Sequence, residues 1–114
     1  MYTSNIRFPQ SKDCPENVQR IKVTAQKAGW WKTKFYKAFQ ECEPGEKKTA
    51  LYGHILNIQY IIDRAMEIAR EWHRIDQIRK YTRELEERYD REDLSLKAAL
   101  NRVEKAYKEL EEEG

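Results

Sequence analysis

The strongest constraint in this chain is a set of apolar residues, Leu51, Ile55, Ile58, Ile62, Ala65, Ala69 and Trp72, that alternates steps of four and three without an error. Such steps put side chains on one face of an α-helix and on no face of a strand, whose repeat is two. Ile68, Ile75, Ile78, Leu85 and Tyr89 continue the apolar side, and neither glycine nor proline occurs between Gly53 and Gly114. The pattern predicts one long helix over 47–89, roughly 60 Å at 1.5 Å per residue. A periodic segment of more than ~25 residues points to a coiled-coil-like element. A kink near Arg74 to Asp76 is the alternative.

The flanks read as shorter elements. Residues 1–12 have no period and contain Pro9, the pattern of an extended arm. In Asp13-Cys14-Pro15-Glu16, Asp13 is expected to cap backbone N–H groups while Glu16 reaches back, with the proline in the permitted first turn. Val18, Ile21, Ala25 and Ala28 then share a helical face, which Gly29 is expected to end or kink. Trp31, Phe35, Ala38, Phe39 and Cys42 form a second stripe that Pro44-Gly45 stops. Beyond the long helix, Asp90-Arg91-Glu92-Asp93 and Ser95 read as a new start. Leu96, Leu100, Val103, Tyr107 and Leu110 predict a last helix over 93–112. Strand signals are absent.

The expected fold class is therefore all-α: a single helical domain over 1–114, with an arm (1–12), basic aromatic helices (13–43), a long helix (47–89) and a C-terminal helix (93–112). These are expected to pack as an elongated antiparallel bundle of three to four helices.

Composition makes the core thin, with 39% apolar and 37% charged residues, against about 25% charged in an ordinary domain. Three Trp, seven Tyr and three Phe nevertheless argue for folding, because disordered chains are poor in aromatics. No apolar run reaches the ~20 residues that span a bilayer, and the N-terminus lacks the features of a secretory signal. The expected setting is cytoplasmic and membrane-free, with Cys14 and Cys42 reduced. Charge is uneven: residues 1–48 carry ten basic against five acidic side chains, and residues 84–114 six against eleven. The basic first third is expected to meet an acidic or polyanionic partner, or else the acidic end of this chain or of another copy.

Motifs for chemistry are missing. Two His and two Cys at no recognisable spacing do not make a zinc site. Four glycines form no phosphate-binding loop, and no nucleophile stands beside a base in sequence. No cofactor and no enzymatic activity are expected. His54, early in a helix of a bundle, resembles phosphoaccepting histidines of relay proteins in architecture alone. The Lys-Gly or Glu-Leu-Arg residues typical after such a histidine are missing, and His54 is read as a polar helix residue.

Two features point to binding. In residues 27–37, Lys27, Trp30, Lys34 and Lys37 share one helix side opposite Trp31 and Phe35. Lysines supply phosphate contacts and an exposed Trp a stacking plane for an unpaired base, or the same lysines meet an acidic partner. The plainer alternative is a solvated reverse face behind a core stripe. Separately, Tyr60, Ile61, Ile68 and Ile75 form a second apolar strip off the main stripe of the long helix, expected to serve self-association. Arg70, Arg74, Arg79, Lys80 and Arg83 alternate with acids and read as a salt-bridged face. The function expected is that of a non-enzymatic helical interaction protein. It would be a small regulator, inhibitor or subunit of the kind phages and mobile elements encode, docking on a larger protein or ribonucleoprotein assembly. The alternative is a nucleic-acid-binding module using segment 27–37 on a single strand.

Overall fold

The computed structural model describes residues 14–78 and 82–113, with the side chains of 76–78 and 113 outside the description. It contains three helices packed against one another: α1 (Glu16–Glu41), α2 (Glu46–Ile78) and α3 (Arg83–Glu113). Arm residues 1–12 and the expected cap Asp13 lie outside the described residues, as do Arg79 and Lys80.

Helix α1 is one element, where the sequence had suggested two. Gly29 sits buried in its middle, and the helix runs through it. A helical glycine costs only ~1 kcal/mol against alanine, less than the packing of the Val18, Ile21, Ala25, Ala28 and Phe35 face returns. All five of those side chains are fully buried. Pro15 stands at the cap position, just before the first turn, and its carbonyl accepts the Gln19 N–H at 3.0 Å. At the other end the Cys42 N–H donates to the Phe39 carbonyl, and Pro44-Gly45 turns the chain as expected.

The long helix departs from expectation in the opposite direction. α2 ends at Ile78 and a separate helix begins at Arg83, so residues 47–89 are not continuous. Thr82 caps α3: its Oγ1 accepts the Leu85 N–H at 3.2 Å and its carbonyl accepts the Glu86 N–H at 3.0 Å. Glu84 and Glu86 in the first turn complement the positive helix end. The cluster Asp90 to Asp93 is not a helix start but lies inside α3. Its acids serve another purpose, as partners to neighbouring helices.

Those partners set the register. Asn17 Nδ2 donates to Asp90 at 3.0 Å, Arg20 Nε to Asp93 at 2.8 Å and Trp31 Nε1 to Glu104 at 3.2 Å. Each pair is separated by 73 residues, so α1 and α3 run in the same direction. Lys32 meets Gln59 and Phe39 meets Tyr52, so α2 opposes α1. Arg64 meets Glu92 and Glu71 meets Arg88 and Tyr89, so it opposes α3 as well. A helix between two neighbours needs a wide apolar stripe. Accordingly Ile61 and Ile68 join Ile55, Ile58, Ile62 and Ala65 in the core.

Candidate interaction surface

The outer side of α1 carries the four residues singled out in segment 27–37. Acids occur in this helix only at its ends, Glu16 and Glu41, with six basic side chains between them; Arg20 pairs with Glu16 at 3.1 Å. Lys27 and Lys37 are exposed and Trp30 is 37% exposed. Lys34 is different. Its Nζ lies 4.0 Å from the centre of the Trp30 ring, 5.2 Å from Trp31 and 5.3 Å from Tyr107. Trp30 also meets Trp31 edge-on at 4.8 Å between ring centres. One face of the ring expected to stack on a base thus carries a neighbouring ammonium. Trp31 itself is half-buried, where the sequence had put it in the core; its indole N–H reaches Glu104 at the rim.

The strip of Tyr60, Ile61, Ile68 and Ile75 is not a strip in the fold. Ile61 is 0% and Ile68 1% exposed, and Ile75 packs partly against the core. Only Tyr60 faces outward, at 60% exposure. The surplus apolar residues that argued for self-association are consumed by the second neighbour of α2, because α3 begins at residue 83 and runs its full length beside the other helices.

Sequence reading missed a different surface. Tyr52 and Leu56 are each 52% exposed and, with Tyr60, follow at steps of four on the outer side of α2. The row continues onto α1, where Tyr52 lies 6.0 Å from the Phe39 ring and Phe39 6.2 Å from Tyr36, itself half-exposed. Lys48 Nζ sits 4.7 Å from the Phe39 ring at one margin, and Asp63 begins the charged part of α2 at the other. The signal was present in the sequence: residues 49–62 contain no Asp, Glu, Lys or Arg in a chain that is 37% charged.

His54 is a half-buried residue of α2, with its ring 5.3 Å from Phe35 of α1. It borders a polar trough with Asn57, Tyr60, Ser95 and Arg102. The trough holds the Ser95 and Tyr60 hydroxyls but no carboxylate, whereas a second cavity bordered by His54 includes Glu46 and Glu109. Among the described residues no group of three His, Cys, Asp or Glu is placed to hold a metal, and neither cysteine is in a disulfide. No described helix is long and apolar enough to cross a membrane.

Several polar side chains are tied up between helices. Asp93, 3% exposed, takes Arg20 at 2.8 Å and Lys97 at 3.7 Å. The hydrogen bond to Asp93 raises the Arg20 pKa above its ordinary value, with burial opposing it. Arg64 is raised likewise, first by its hydrogen bond to Glu92, against burial, and then by Glu67. Both guanidiniums stay charged at any working pH and act as fixed clasps between helices.

Comparison with known proteins adds no relative: no family model matches the chain, and neither a curated protein nor a solved structure is significantly similar to it.

Proposed function

We propose that this chain is a non-enzymatic helical interaction protein of the cytoplasm. In this reading it acts as a small regulator, inhibitor or subunit that docks on a larger protein through the outer row of α2. The observation that carries the reading is the coincidence of Tyr52, Leu56 and Tyr60, all half-exposed or more, with a segment free of charge. Protein interfaces are depleted of charge at their centre and enriched in tyrosine, with a polar rim that excludes water. Lys48 and Asp63 supply such a rim. The partner is accordingly a protein with an apolar patch. A nucleic acid would find few cations here to meet its phosphates, Lys48 at one margin and Arg102 near Tyr60. The elongated, coiled-coil-like form suits docking along a helix; the principal extents are 51 × 25 × 20 Å.

One observation favours the second reading, a polyanion on α1: residues 17–40 carry six basic and no acidic side chains. The ammonium on one face of Trp30 weighs against a base-stacking role, leaving backbone contact through Lys27 and Lys37.

The test is co-purification of the tagged full-length chain from cells that make it, followed by reconstitution of the complex from purified components. Tyr52→Asp with Leu56→Asp is expected to abolish the complex, and Lys27→Glu with Lys37→Glu to leave it within a few-fold. Retention of the complex by the first variant overturns the proposal.

A further inference from the structure

We propose that the corner of α2 and α3 is a binding site for a phosphoryl oxyanion, a site independent of the docking row. Arg64, Arg70 and Arg74 of α2 and Arg88 of α3 line one cavity of about 230 Å³, together with Glu67 and Glu71. Read along the sequence, Arg70 and Arg74 alternate with acids and belong to a salt-bridged face. The fold pairs the four arginines unequally. Arg64 takes Glu92, with Nε 3.1 Å from Oε1, and takes Glu67 at 2.8 Å. Arg88 takes Glu71, whose Oε1 also accepts the Tyr89 hydroxyl at 2.8 Å. Both acids of the cavity are therefore engaged, and no described carboxylate pairs with Arg70 or Arg74, exposed and one helical turn apart.

A second observation points the same way. The Nε of Arg88, one of the lining residues, is buried without a hydrogen-bond acceptor, so that guanidinium has donor capacity left beyond its pairing with Glu71. The paired groups, two arginines with three carboxylates, carry one net negative charge, and the two unpaired arginines outweigh it.

The chemistry selects the ligand. A carboxylate brings one charge and two acceptor oxygens in one plane. A phosphate monoester brings ~1.5 to 2 negative charges and three strong acceptor oxygens, and guanidinium forks match that geometry with paired N–H donors. The oxyanion comes either from free phosphate or from a phosphorylated residue.

The test is titration of the full-length chain, at fixed ionic strength, with inorganic phosphate and with N-acetylphosphoserine amide. The arginine Nε–Hε resonances are followed by NMR. Saturable shifts at Arg70, Arg74 and Arg88 are expected, with a dissociation constant on the order of 1 mM, as befits a solvent-open site. Arg70→Gln with Arg74→Gln is expected to weaken binding at least about tenfold, and Lys27→Gln with Lys37→Gln, which removes equal charge elsewhere, less than about twofold. Tighter binding of the ester assigns the site to a phosphorylated residue, and equal or tighter binding of phosphate to the free anion. Shifts that stay linear in concentration for both ligands, or equal losses in the two double variants, overturn the proposal.

Discussion

The outer sides of α1 and α2 both carry exposed aromatics, and they treat them in opposite ways. On α1, Trp30 is covered by Lys34 of its own helix and braced by Trp31. On α2, Tyr52, Leu56 and Tyr60 stand among residues that carry no charge and leave half their surface or more to solvent. An aromatic beside a lysine one turn away is partnered before any ligand arrives. In the row on α2 the one lysine at the margin, Lys48, lies over Phe39, and Tyr52, Leu56 and Tyr60 keep their desolvation free energy for a partner. The difference teaches that the visually suggestive segment, rich in Lys and Trp, is the more self-satisfied of the two.

Four substitutions sharpen the contrast. The largest effect is expected inside α1, where Phe35 is fully buried between His54 and Tyr107, 5.3 and 5.2 Å away. Phe35→Ala should lower unfolding free energy in urea by ~3–5 kcal/mol. A loss below about 1 kcal/mol would mean that the base of the α1 surface is not the packed layer described above. Next comes the α1–α3 clasp: Asp93→Ala strips Arg20 of its buried partner and should cost ~1.5–3 kcal/mol, the range for hydrogen bonds to charged groups. An unchanged urea midpoint would break the link between this pair and the register of α1 on α3.

Smaller still is the cover on Trp30. Lys34→Ala should cost about 0.5–1 kcal/mol, the value of an exposed cation–π contact, and should raise acrylamide quenching of tryptophan fluorescence. Unaltered quenching would show that Lys34 does not shield the ring. Least of all, Leu56→Asp should leave stability within about 0.5 kcal/mol of wild type, as exposed positions do. A severe loss would place Leu56 in the core and remove the row.

The sequence made much of the fold legible and misread its joints, for reasons visible in particular residues. The four-and-three pattern from Leu51 to Trp72 correctly placed the buried face of α2, and Leu96, Leu100 and Val103 that of α3. Periodicity carries no mark of a break, however, so the stripe of α3 through Leu85 and Tyr89 looked like more of α2. The local mark was Thr82 followed by Glu84 and Glu86, a cap with acids in its first turn, outweighed because neither Gly nor Pro accompanies it. Asp90 to Asp93 misled in the other direction: acids that resemble a cap bind Asn17, Arg20 and Arg64 across helices. Such long-range partners have no local signature. Ile61 and Ile68 looked surplus for the same reason, since the count of helices packed against α2 is a property of the whole chain.

The exposed row was readable in part. A charge-free stretch of fourteen residues in so charged a chain stands out once sought, but which of its apolar residues face outward depends on where α1 and α3 lie.

The most direct test of docking through α2 is site-specific photo-crosslinking in cells that make the protein, with p-benzoylphenylalanine placed singly at positions 52, 56, 60, 30 and 37. Docking through α2 predicts crosslinks to one protein partner from 52, 56 and 60, and none to it from 30 and 37. Crosslinks confined to 30 and 37, or nucleic acid captured there with nothing at α2, would contradict it.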